Sequence, residues 1–176
     1  IDRMRSFEVF HTQEYRVPIL TFPIQGTGND MWLGDGYYFW QDYEFSKWWG
    51  AVMKCKTCNK TRRYTMFKAT INFTEDEFID TVFNEVDYYN FVNTIEKFAK
   101  MYIKQFHKKP TLEEFNDFIQ DHDVWEGISV IRFQDLPFNN DLIKVDGYYY
   151  KKRIQFRVNE PEKITNFAQL NTFVCV

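Results

Sequence analysis

Three short stretches of this chain carry side chains suited to holding and working on a small ligand. The first is His11-Thr12, at the end of an alternating segment that begins at Phe7. The second is Gly34-Asp35-Gly36-Tyr37-Tyr38-Phe39, with Ser46 eight residues after Tyr38 and Trp49 eleven after. The third is Arg153-Ile154-Gln155-Phe156-Arg157-Val158. Tyr38 and Trp49 offer aromatic faces for stacking. Ser46, His11 and Gln155 offer hydrogen-bonding side chains. Glycines at 34 and 36 permit a positive φ or a close backbone approach. Gln155 offers hydrogen bonding without charge. Glu160 and Glu162 lie downstream of it, and Asp135 and Glu126 sit in a segment able to rim a pocket. Taken singly, each stretch has a blander reading. A lone His is more often structural, and Gln155 fits the outward face of an amphipathic strand.

The elements that must position these residues follow from periodicity and punctuation. Phe7–His11 alternates as a first strand. Pro18, Pro23, Gly26 and Gly28 mark residues 12–30 as a loop. Residues 42–54 read as a helix, 54–63 as a charged loop, and 64–73 as an alternating strand. Residues 87–106 place Tyr88, Phe91, Val92, Ile95, Phe98, Ala99, Tyr102, Ile103 and Phe106 at helical spacing. Thr111 and Glu114 form a capping box after Pro110, opening a second helix to residue 120. Both helices read as core and cover. Short strands are expected at 127–133, 152–158 and 172–176, with an Asn- and Asp-rich loop at 138–147. Strands at both ends with helices between them give an α+β pattern.

In order and residue type the three stretches resemble the ADP-ribosyltransferase superfamily, in its His-Tyr-Glu branch. That branch includes poly-ADP-ribose polymerases, diphtheria-type toxins and small bacterial toxins. The resemblance runs from about Phe7 to Ile164. It implies one ADP-ribosyltransferase-like domain over 1–176, a split β-sheet core with flanking helices, and a helical insertion at about 75–122. It implies NAD as substrate, with Gln155, His11 and Tyr38 in catalytic positions. His11, Thr12, Gly36, Tyr38, Ser46 and Trp49 fall where that family binds NAD. It further implies a mono-ADP-ribosyltransferase acting as a bacterial or phage-related toxin or defence effector. Its partners would be a protein or nucleic-acid acceptor and a cognate antitoxin. The chain departs from the family twice: Thr12 stands where a Gly is usual, and Gln155 where the catalytic Glu is usual. Two alternatives stay open beside transfer. One is NAD hydrolysis with water as acceptor; the other is an inactive NAD- or ADP-ribose-binding interaction module.

Composition bounds these readings. The chain has 176 residues and a net charge of −3, without the basic surplus usual in proteins that coat nucleic acid. The local basic runs at 54–63, 104–109 and 151–153 read as solvated faces. An aromatic content of 20% fits a Phe-rich core and does not by itself identify a ligand. The odd count of three Cys argues against a disulfide framework and, with no signal-peptide pattern, points to the reducing cytoplasm. Cys55 and Cys58 supply two of the four ligands a structural zinc needs, and His11, His107 and His122 lie far away in sequence, so no metal is expected. No apolar run approaches the roughly 18–20 residues of a membrane helix.

Overall fold

The computed structural model describes residues 3–56, 60–135 and 151–175. Seven strands form one sheet: β1 (Met4–Glu14), β2 (Tyr37–Trp40), β3 (Arg63–Thr74), β4 (Phe78–Asp80), β5 (Val130–Gln134), β6 (Ile154–Val158) and β7 (Ile164–Val174). Their spatial order is β4-β5-β6-β2-β1-β3-β7. Only β4 and β5 run parallel; the other neighbours are antiparallel. Three α-helices accompany the sheet: α1 (Tyr43–Trp49), α2 (Glu85–Phe106) and α3 (Leu112–Asp121). The α+β expectation holds at that level.

The alternation of each strand sorts its side chains. On β6, Ile154, Phe156 and Val158 are buried while Gln155 and Arg157 are only partly so. Phe156 and Val158 join Val9, Phe39, Ile71, Phe73 and Val130 in the main core. This face also buries a charge. Arg132 on β5 bonds Asp80 on β4, with Nε donating to Oδ1 at 2.9 Å, and lies 5.2 Å from the Phe7 ring. Leu33, Ile131 and Phe133 form a second cluster, covered by Phe91 of α2 and by Trp125.

Several boundaries differ from the sequence reading. β4 lies inside the expected insertion at 75–122, because three residues are too few to show alternation. The helical part therefore begins after Asp80. The last strand starts at Ile164, eight residues before the expected 172. Its pairing with β3 shifts register twice, which hides the alternation. The expected helix at 42–54 is α1 followed by one wider, π-helical turn, Gly50–Lys54. The loop expected at 138–147 lies outside the described residues.

The capping box is present on α3. α2, in contrast, is a poor core element. Tyr102 is its only buried residue among those described, while Val86, Tyr89, Ile103 and Phe106 stand exposed. The basic run at 151–153 is not a solvated face throughout. Arg153 is fully buried, its guanidinium 4.7 Å from the Trp48 ring. It belongs to the alternating set with Gln155 and Arg157, of which Gln155 lines the larger cavity and Arg157 a smaller one.

The thiol expectation also fails. Cys55 and Cys175 form a disulfide across 120 residues of sequence. Cysteine spacing cannot reveal a partner at that separation, and the Cys55-x-x-Cys58 pairing drew attention to the wrong neighbour. Cys58 lies outside the described residues. The cytoplasmic expectation rested on unpaired thiols and loses that ground. Among the described residues, no helix is long and apolar enough to cross a membrane.

Candidate functional site

β1 and β2 pair at a single rung, Phe10 with Trp40. Past it, β1 continues through His11, Thr12 and Gln13, and a side chain fills the join. His11 Nδ1 lies 3.0 Å from the Tyr38 carbonyl oxygen. A carbonyl only accepts, so Nδ1 donates and Nε2 is left as an acceptor. Nε2 is buried and has no hydrogen-bond partner among the described residues. The ring sits among Phe39, Phe67 and Phe167, with centroids 5.8, 6.4 and 6.3 Å away. Burial disfavours its charged form and lowers its pKa below the usual 6.5, although the bond to the Tyr38 carbonyl opposes this. His11 is therefore neutral at neutral pH.

A cavity of about 1050 Å³ opens beside this junction. That is at the upper end of the roughly 300–1,000 Å³ typical of small-molecule sites. β1 contributes His11, Thr12 and Gln13, and β2 contributes Tyr38 and Trp40. α1 and its extension add Trp48, Trp49, Val52, Met53 and Lys54. β6 adds Gln155, while Phe133 and Asp135 come from β5 and the residue after it. The loop from Ile24 to Trp32 covers one side. Gln155 is paired with Trp40 on one neighbouring strand and Phe133 on the other. Directly opposed residues share a face, so an amide lies between two aromatic rings on the cavity floor.

The walls are mostly aromatic. Trp40 packs on Trp48 and Trp49 at 6.2 and 5.8 Å, and Trp48 packs on Trp49 at 6.1 Å. Trp32 packs on Phe133 at 5.1 Å. Tyr38 meets Phe133 edge-on at 6.1 Å. Its hydroxyl donates to the Gly34 carbonyl at 2.6 Å and accepts from the Leu33 N–H at 3.2 Å. The turn thus holds its own ring in place. Gly34 adopts φ +76°, which explains a glycine there.

Of the residues singled out in sequence, His11, Thr12, Tyr38, Trp49 and Gln155 line this cavity; Gly36 and Ser46 do not. Gly36 is needed for packing. A methyl there would come within 2.9 Å of Arg157 Cγ, whose guanidinium donates to the Asp35 carbonyl at 2.8 Å. Gly36 also exchanges backbone bonds with Gly26, tying the covering loop to the turn. Ser46 is fully buried, and its Oγ lies 2.6 Å from Thr12 Oγ1. Thr12 Oγ1 donates in turn to the Ser46 carbonyl at 2.6 Å. These hydroxyls pin β1 to α1.

Of the four acids singled out in sequence, Asp135 is the one that shares the cavity with Gln155. Glu126 lines a smaller neighbouring cavity of about 420 Å³, beside Arg157. Glu160 accepts from the Ser129 hydroxyl at 3.0 Å, and Glu162 is exposed. Asp30 and Lys54 complete the charged lining of the larger cavity among the described residues. Sequence reasoning missed Trp40, Trp48 and Lys54. Trp40 was within reach, because it stands two residues from Tyr38 on one strand and must share its face. No group of three or more His, Cys, Asp or Glu capable of holding a metal occurs among the described residues. No family model matches this chain, and no curated protein or solved structure matches it.

Proposed function

We propose that this chain binds NAD in the aromatic cavity and acts as a mono-ADP-ribosyltransferase. The observation that supports this reading is convergence. Three stretches, around residue 11, residues 38–49 and residue 155, are far apart in sequence, yet His11, Thr12, Tyr38, Trp49 and Gln155 line one cavity large enough for a dinucleotide fragment. In this reading Tyr38 and Trp49 contact the nicotinamide ring, and the Thr12 main chain holds its carboxamide. Gln155 bonds the ribose from the floor. The single rung between β1 and β2 is where a split sheet would open. His11 positions the Tyr38 strand through its carbonyl, a more structural part than ribose binding. The biological role that follows is a toxin or defence effector acting on a protein or nucleic-acid acceptor, held in check by an antitoxin. NAD hydrolysis would use the same cavity with water as acceptor.

The test is incubation with adenylate-labelled NAD and a cell extract, followed by separate protease and nuclease treatment. Label on a macromolecule is expected, and its sensitivity identifies the acceptor class. Label found only as free ADP-ribose identifies a hydrolase. A second reading, binding without turnover, is favoured by one observation: Gln155, an uncharged amide, lines the cavity where the family's catalytic Glu is usual. Calorimetric NAD binding with no nicotinamide release would establish it. Absence of NAD binding would refute all three.

A further inference from the structure

The β5–β6 ladder carries an acid that the catalytic reading does not yet use. Phe133 opposes Gln155, so the next pair along the same face is Asp135 and Arg153. The Asp135 N–H donates to the Arg153 carbonyl at 3.0 Å, extending the ladder past the end of β5. Asp135 and Gln155 are therefore diagonal neighbours on the cavity face, a relation that places residues roughly 7–8 Å apart. Both line the cavity.

Arg153 fixes the acid from behind. Its guanidinium lies 3.2 Å from Asp135 Oδ2, with side-chain exposures of 1% for Arg153 and 34% for Asp135. The cation also lies 4.7 Å from the ring of Trp48, itself a cavity wall. The pair thus has its positive end in the protein and its negative end toward the cavity. Asp30, the other acid lining the cavity among the described residues, sits on the covering loop and is itself exposed. A fixed charge stabilises a developing charge better than a mobile one, because it needs no reorganisation during the reaction.

We infer that Asp135, held by Arg153, is the catalytic carboxylate of this cavity, displaced by one strand from the position that Gln155 occupies. The inference rests on the NAD reading above. In the reaction, the bond between the ribose anomeric carbon and the nicotinamide nitrogen breaks. Its electron pair leaves with nicotinamide and cancels the pyridinium charge. Positive charge develops on the ribose opposite the Asp135 carboxylate. An acceptor N–H or O–H, or water, bonds the anomeric carbon and releases its proton to solvent. Asp135 forms no covalent bond, and Gln155 holds the ribose by hydrogen bonding.

The experiment measures NAD affinity by calorimetry and nicotinamide release at saturating NAD. It compares wild type, Asp135→Asn, and the double variant Asp135→Asn/Gln155→Glu. Asp135→Asn is expected to bind NAD as wild type does and to lose release by ~100-fold, the scale of a removed transition-state contact. The double variant, which moves the charge to the diagonal position, is expected to regain at least ~10-fold of that loss. Wild-type release by folded Asp135→Asn overturns the inference. So does a folded double variant that regains nothing, or a wild type that binds NAD and never releases nicotinamide. All three outcomes leave the NAD-binding reading standing. A wild type that does not bind NAD overturns both. Should Asp135→Asn fail to fold by circular dichroism, Asp135→Glu keeps the charge opposite Arg153 and shifts it by one methylene. Slower release at unchanged affinity is then expected, and release at the wild-type rate overturns the inference.

Discussion

Replacing His11 by Gln should flatten the pH dependence of stability between neutral and mildly acid conditions. His11 is buried, and burial lowers its folded-state pKa below 6.5. Between that lowered value and 6.5 the unfolded chain binds a proton that the folded chain does not. Stability is full above 6.5 and falls as pH drops below it. With a folded value well beneath the window, the loss from about pH 7 to about pH 5.5 is at most about 1.2 kcal/mol. For a domain of this size that is about 3–5 °C in Tm. Asp42, raised by its own burial, works in the opposite direction. Glu14, Glu77, Asp80 and Glu114 are held below the ordinary carboxylate range, each by a hydrogen-bonded cation, and titrate under the window. All of these are common to wild type and His11→Gln, so the difference between the two curves isolates His11. Gln can still donate to the Tyr38 carbonyl. The assay is thermal unfolding of both proteins at several pH values and constant ionic strength. Parallel curves would refute the claim that His11 is buried and neutral.

Other residues give sharper single outcomes. Tyr38→Ala should weaken NAD binding about threefold to tenfold by removing one aromatic contact; calorimetry showing equal affinity would count against the pocket assignment. Cys175→Ser should lower stability by about 2–4 kcal/mol, because the lost bridge spans a long loop; urea denaturation checks this. Without reductant, the denatured wild type should titrate one thiol, since two of its three Cys are bridged. Asp80→Asn leaves the buried Arg132 without its counter-charge and should cost about 3–5 kcal/mol, read as a shift in the same denaturation midpoint.

Much of the candidate site was legible because its parts are local. A strand, a Gly-x-Gly turn and a helix bring Tyr38 and Trp49 to one cavity by spacing alone. The capping box at Thr111 and Glu114 depends on four residues and was readable for the same reason. What stayed hidden depends on residues distant in sequence. Ser46 reads as a ligand-binding hydroxyl until the fold brings Thr12 to within 2.6 Å of it. Gly36 reads as a ligand contact until Arg157 is found where its Cβ would be. Arg153 reads as a solvated cation because an alternating strand reveals two faces without revealing what covers the polar one. β4 escaped detection because three residues carry no period, and Cys175 because a disulfide partner is a matter of position in space.

The Cys55–Cys175 bridge sits one peptide bond beyond Lys54, the end of the segment that walls the cavity through Val52 and Met53. A molecule seated against that wall and the bridge behind it share one short stretch of backbone. Linkage between two such equilibria is reciprocal. Whatever factor opening the bridge takes from affinity, an occupant of the cavity takes from the ease of opening the bridge. Thiol reactivity measured with and without ligand reads that factor, which is one if the two equilibria are independent.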